Sequence, residues 1–281
     1  MIEVTGFECP HITLRKAKSL IRYKCARFGN PIKQCTVGGY VIKVDVSEGI
    51  QRWIYAGRYE PVETKWFKEI LKPGMTVVDI GASVGYYSFL ASALVGNTGM
   101  VYAFEPSTYS FEKFTANIQR NAIKNIEPYR IGLGDTECEK EMFNSVGDNP
   151  ENIHAPTFIP QDTHLEHWRS IGFLPIMRLD KFWEDNHLGN IDLVKIDVEG
   201  FESAVLGGMI NLFKNRVVKR VMVEYLQTTE PLFFDGTESS KMDFLLESNG
   251  FRLVKAKRHD FGNNTFMGNF LYELEPEELE C

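Results

Sequence analysis

The sequence predicts an α/β protein built on a doubly wound, mostly parallel sheet. Three observations predict it. From Tyr59 onward, short β-branched runs alternate with segments of helical period, the pattern of successive βαβ units. Met75–Ile80 runs directly into the small-residue loop Gly81-Ala-Ser-Val-Gly85 and then into a helical segment, so a strand passes to a helix through a tight turn. Three of the apolar runs also carry an acid at their carboxyl ends: Asp79, Glu105 and Asp197. In open α/β sheets, ligands sit beyond those ends.

Taken in order, residues 11–29 place Ala17, Leu20, Ile21 and Phe28 at roughly helical spacing. Eight basic residues and no acidic one lie between Cys9 and Val44. The simplest reading is a solvated helix packed by its apolar stripe; a membrane surface or an acidic partner is the other. Gly38-Gly39 marks a turn. Tyr40–Val46 alternates as a half-buried strand does, with Gln51–Tyr55 as its expected partner. Residues 1–58 are therefore expected to form an N-terminal extension of helix and β-hairpin. The main domain is expected over 59–275, with strands at Met75–Ile80, Met100–Phe104, Glu127–Ile131, Ile191–Val198 and Lys219–Tyr225. Helices are expected at 62–71, 84–94, 107–121, 201–213 and 239–249. Phe251–Lys257 and Asn269–Leu274 predict a closing antiparallel hairpin with an eleven-residue polar loop. Residues 144–175 have little periodicity and predict an inserted substrate loop. Residues 276–281 predict an acidic tail.

Composition narrows the function. The chain has 281 residues, enough for a large buried core, and a net charge of −7, which weighs against nucleic acid as partner. The charge is segregated: residues 1–60 hold ten Lys/Arg against five Asp/Glu, and the remainder 21 against 33. Five cysteines, an odd number in no zinc-binding spacing, predict reduced thiols and a cytoplasmic location. The N-terminus has no signal-peptide pattern, and no apolar run is long enough to span a bilayer. A homo-oligomer is compatible with all of this.

Candidate site residues follow from the strand ends. Gly81, Ala82, Ser83 and Gly85 with Asp79 form a loop that either cradles a cofactor or only turns the chain. It is not the dinucleotide fingerprint, because Ser83 stands where the middle glycine would be. Glu105, followed by Pro106, lies 26 residues after Asp79, where a carboxylate can accept both ribose hydroxyls; the plainer role is capping the next helix. Asp135, after the next strand, fits an adenine contact or a turn equally well. Asp197 and Glu199 end the fourth strand, beside the first, and can act on a substrate or cap helix 201–213. Glu224 ends the fifth strand and can hold a substrate hydroxyl, support Asp197 or pair with a base. His164 and His167 stand at i,i+3 with no third ligand in reach, so a surface role is expected and no metal site.

These stretches together resemble class I S-adenosylmethionine-dependent methyltransferases, and within them the FkbM type. The resemblance rests on Tyr59-Glu-Pro61, Val77-Val-Asp-Ile-Gly-Ala-Ser-Val-Gly-Tyr-Tyr-Ser88, Ala103-Phe-Glu-Pro106, Asn117, Asn121, Arg178-Leu-Asp180, Asp192–Glu202 and Glu224. Lys195-Ile-Asp-Val-Glu-Gly200 is the most specific block. Ser83 departs from the commoner Asn, and Val194 from Leu. The resemblance implies a Rossmann-like, seven-stranded sheet whose last hairpin is reversed. It implies S-adenosylmethionine as cofactor, bound by Asp79, Gly81, Ala82, Ser83, Gly85, Glu105, Pro106, Asp135 and Asp197. It also implies O-methylation of a hydroxyl on a sugar, polysaccharide precursor or polyketide-like molecule. Asp197 is then the first candidate base or orienting group, with Glu199 and Glu224 behind it. The alternative is a non-catalytic, cofactor-binding partner subunit.

Overall fold

The computed structural model describes residues 14–26, 28–145, 156–158, 168–227, 238–262 and 265–276. Cys9, Cys281, His164, His167, most of the acidic tail and much of the 144–175 segment lie outside them.

A seven-stranded sheet organises the chain. Its strands are β3 (Thr76–Ile80), β4 (Met100–Phe104), β5 (Ile126–Tyr129), β9 (Leu193–Ile196), β10 (Arg220–Gln227), β11 (Phe251–Gly262) and β12 (Thr265–Leu274), in the order β11-β12-β10-β9-β3-β4-β5. The strands β9, β3, β4 and β5 pair in parallel, and β10 joins β9 in parallel. The last strand, β12, enters between β10 and β11 and runs against both. Only the second strand of the closing hairpin is thus reversed. Val77, Val78 and Ile80 are fully or almost fully buried, as expected of a central strand covered on both faces. Most connecting helices match their expected spans: α3 (Pro61–Ile70), α4 (Tyr86–Val95), α5 (Thr108–Arg120) and α9 (Glu238–Ser248).

Four expectations need correction. Gln51–Tyr55 does not pair with the 40–46 strand; it lies in helix α2 (Gly49–Ala56), which buries Gln51, Arg52, Ile54 and Ala56. The hairpin is instead β1 (Ile32–Val37) with β2 (Tyr40–Asp45), after helix α1 (Leu14–Cys25). The helix expected over 201–213 is two, α7 (Glu202–Gly207) and α8 (Ile210–Lys214). The break lets Gly208 sit against Gly134, whose carbonyl oxygen would lie 2.0 Å from any added Cβ. The eleven-residue loop of the last hairpin is mostly ladder, since β11 and β12 pair as far as Gly262 and Thr265. Backbone pairing needs no apolar side chains there.

The fourth correction concerns the 144–175 segment. Its end belongs to β8 (Trp168–Met177), antiparallel to β7 (Cys138–Ser145) and parallel to the short β6 (Gly132–Leu133). This three-stranded sheet stands beside the main one. Arg178 then forks onto Asp180, in the first turn of α6 (Leu179–Asp185), with nitrogen-to-oxygen distances of 3.0 and 2.6 Å. Arg178 Nη1 also donates to the Asp135 carbonyl at 2.6 Å. The Arg-Leu-Asp block clamps the turn after β6 to the start of α6 and, through the Gly207 carbonyl, to the end of α7.

The buried residues described before Tyr59, from Ala26 to Ile54, share the main core. Helix α4 is apolar nearly all round, and such a helix needs cover on every side. β1 and β2 provide it: Tyr40 shares a hydroxyl hydrogen bond with Ser92 at 3.0 Å. Two asparagines one turn apart on α5 complete the docking. Asn117 accepts from Lys43 N–H at 2.8 Å and donates to its carbonyl at 3.0 Å; Asn121 does the same for Val41 at 3.0 and 2.9 Å. Their amides pair with the β2 edge as another strand would.

Candidate active site

One crevice opens at the carboxyl ends of β3, β4 and β9. Its floor is the 81–85 loop. Gly81 and Ala82 donate N–H to the Phe104 carbonyl at 2.9 and 3.0 Å, tying the first strand to the second. Gly81 has φ +81°, and a Cβ there would lie 1.8 Å from the Asp197 carbonyl oxygen. Gly85, at φ +93°, starts α4 where a Cβ would strike the Phe114 ring at 2.2 Å. Both glycines are therefore required by close approach as well as by backbone angle.

Glu105 faces this loop from β4. Its Oε2 accepts the Ser83 N–H at 2.7 Å and its Oε1 the Ser107 N–H at 2.8 Å. Burial pushes its carboxyl up to about 7, against the pull of those two donors. Capping and ligand binding are thus compatible, because each oxygen keeps a second lone pair. Asp79 is buried; its Oδ2 accepts from the Ser88 hydroxyl at 2.5 Å, and burial raises its carboxyl against the field of Lys195. Among the described residues its Oδ1 has no partner. A buried acceptor left open on the crevice wall fits a ligand that brings an N–H or O–H donor. Pro106 also lines the crevice.

Asp197 reaches the wall from the end of β9, and its Oδ2 holds Lys195 Nζ at 2.8 Å. Lys195 is buried, opposite Asp79 in the β3–β9 register, with its ammonium 4.5 Å from the centre of the Tyr87 ring. Surrounding carboxylates raise its pKa despite burial. Glu199 lines the crevice too, at φ +54°, and its carbonyl accepts from Thr157 at 2.7 Å. Glu224, on β10, lies behind Asp197 and accepts from Asn269 at 3.3 Å. Burial and the Asp197 charge hold its carboxyl well above the usual range.

Asp135 does not join them. It is exposed and outside the crevice wall, which is formed there by Ile131, Gly132 and Leu133. Its backbone carbonyl serves Arg178 instead.

Sequence reasoning missed Glu60 as a site residue. Glu60 begins α3 in the left-handed region at φ +37° and accepts from the Tyr87 hydroxyl. One oxygen each from Glu60, Asp197 and Glu224 lie within 4.8 Å of one another. Three carboxylates so spaced could share a divalent cation; Lys195 is the cation the chain itself supplies. Burial raises the Glu60 carboxyl, offset in part by Lys195. Tyr59 and Tyr86, whose rings meet edge to face at 5.0 Å, also line the crevice. Glu60, Ser83 and Glu199 are non-glycine residues at positive φ around this one crevice, a costly conformation that clusters at functional sites.

Comparison with known proteins decides the family. Residues 79–253 match the methyltransferase FkbM domain, more than half of the chain. The protein belongs to the FkbM methyltransferase family. The hexuronic acid methyltransferase AglP of Haloferax volcanii is 26% identical over 196 residues, 69% of this chain and 74% of its own. Methyltransferase 1 of Beauveria bassiana is 24% identical over 208 residues, 66% of this chain and 75% of its own. Among solved structures, M. jannaschii TYW2 in complex with AdoMet aligns at a TM-score of 0.44 and 14% identity over 88% of each chain. The family makes the chain a methyltransferase, with S-adenosylmethionine as its cofactor, and its own architecture is α/β with a mostly parallel seven-stranded sheet. No helix among the described residues is long and apolar enough to cross a membrane.

Proposed function

We propose that the protein transfers the methyl of S-adenosylmethionine to a hydroxyl oxygen of a sugar, a polysaccharide precursor or a polyketide-like small molecule. The observation that carries this is that Asp197, Glu60 and Glu224 meet within 4.8 Å beside Lys195, next to a crevice lined by Asp197, Lys195, Asp79 and Glu105. A similarity to a hexuronic acid methyltransferase favours sugars among the acceptors.

Bound cofactor supplies an electrophilic sulfonium methyl. Asp79 offers its open oxygen to a donor on the cofactor, and Glu105 takes the ribose hydroxyls. The acceptor needs to be held in line and relieved of its proton. Asp197 is the candidate for both tasks, supported by its place on the crevice wall and by Lys195, which holds one of its oxygens. Glu60 and Glu224 stand beside it as half-buried carboxyls of raised pKa. Glu199, also on the wall, orients the acceptor. No step requires a metal.

The test is transfer of labelled methyl to a panel of glycans and small alcohols, with cofactor binding followed by calorimetry. Asp197→Asn is expected to bind cofactor and lose turnover, and Asp79→Asn to lose cofactor binding. Unchanged turnover in Asp197→Asn removes the assigned base. Cofactor binding with no turnover on any acceptor supports the non-catalytic partner subunit instead.

A further inference from the structure

We propose that α1 docks the protein onto an anionic lipid surface. This helix has two faces, and the one that holds it to the domain is not its aliphatic one. Ser19 donates to the Ala56 carbonyl at 2.6 Å, Tyr23 stacks on Trp53 with ring centres 4.0 Å apart, and Ala26 is buried. Residues 19, 23 and 26 form one stripe. The aliphatic stripe points away. Ile21 is 62% exposed, Leu20 37%, and Phe28, just past the helix end, 76%. An amphipathic helix ordinarily spends such a stripe on its own core.

Charge identifies the occupant. The helix sequence Leu-Arg-Lys-Ala-Lys-Ser-Leu-Ile-Arg-Tyr-Lys-Cys carries five basic residues and no acid. Beyond residue 60, acidic residues outnumber basic ones, 33 to 21. An anionic surface therefore attracts this end of the molecule and repels the rest, which orients it. Leu20 and Ile21 on the helix and Phe28 just past its end, beside long lysine and arginine side chains, suit a fluid headgroup layer, where the apolar groups sink and the cations stay at phosphate level. Helix α1 packs on α2, whose Ile50 and Ile54 line the crevice, so docking leaves one helix between the lipid and the site.

The docking does not depend on which molecule is methylated, and its test needs no acceptor. The full chain is sedimented with phosphatidylcholine vesicles, with and without phosphatidylglycerol. Binding is expected only to the anionic vesicles, weakening as salt rises. The double variant Ile21→Ser/Phe28→Ser, both exposed sites, is expected to lose at least roughly tenfold in binding, given the apolar area withdrawn, with circular dichroism and cofactor affinity unchanged. Lys18→Glu/Lys24→Glu is expected to abolish the preference for anionic vesicles. Absence of binding at low salt overturns the proposal, as does binding indifferent to both variants. A dimer in light scattering that the double variant dissolves also overturns it, and makes a second copy the occupant.

Discussion

The two sides of the crevice treat their carboxylates differently. On the β3–β4 side each acid is held by groups of its own: Asp79 by the Ser88 hydroxyl, Glu105 by two backbone N–H groups. On the β9–β10 side Glu60, Asp197 and Glu224 face one another around one lysine, within 4.8 Å. The first arrangement fixes acceptors in place before a ligand arrives, which lowers the ordering cost of binding. The second concentrates negative charge beyond what one ammonium balances, so its members compete for protons. A site that binds without reacting needs the first kind; a site that takes a proton from a poor nucleophile needs the second.

The contrast can be broken most strongly at Lys195. Lys195→Met leaves the carboxylate set without its buried cation, and losing one partner of a buried pair costs about 3–5 kcal/mol. A fall in melting temperature on the order of 10 °C is expected, and it should be larger at pH 8 than at pH 6, because more of the carboxylates are then ionised. Thermal unfolding at the two pH values checks this; an equal loss at both would show that the set is not charge-coupled.

An intermediate effect is expected on the other side. Ser88→Ala removes the donor that orients Asp79, at a cost of about 1–3 kcal/mol in stability, and cofactor affinity should fall with it. Isothermal titration separates the cases: affinity equal to that of the parent chain would mean that Asp79 needs no prior orientation.

The smallest effect lies just beyond the crevice, at Glu202. Its Oε1 accepts from Gly200 N–H at 3.0 Å and Val198 N–H at 3.2 Å, and burial pushes its carboxyl from 4.5 up to about 7. Between those values the folded chain keeps a proton that the unfolded chain has released, so stability declines as pH rises through that window and levels off above it. Glu202→Gln keeps an oxygen for both donors and removes the titration. It should gain roughly 1–2 kcal/mol on the parent at pH 8 and show a flatter stability curve from pH 5 to 8 in denaturant titrations. A parallel curve would place the pH dependence on the crevice carboxylates alone.

Much of the sheet was legible because its signals are local. Runs such as Thr76-Val-Val-Asp-Ile are bounded by turn residues, and the acids at strand ends follow the chain. Glu60 was not legible as a site residue. It reads as the approach to a helix, and its partners Asp197 and Glu224 come together only when β9 and β10 are stacked in order. Asn117 and Asn121 were visible as a pair, but their role depends on a hairpin edge 74 and 80 positions away in the chain. β8 was hidden because Gly172, Pro175 and exposed Phe173 blur its alternation; its partner β7 sets the register. Gln51–Tyr55 was misread because Gln51, Trp53 and Tyr55 mimic a period of two, while burial of Ile54 with Gln51 follows the helical one.

The contact between Gly81 and the Asp197 carbonyl has a consequence for engineering. With 1.8 Å between that oxygen and any Cβ at position 81, the cofactor loop and the tip of β9 interlock like a key and its ward. A graft of either segment into a relative, or a directed-evolution library confined to one of them, inherits a lock cut for the other. Residues 81–85 and 195–200 should be exchanged or randomised as a single cassette.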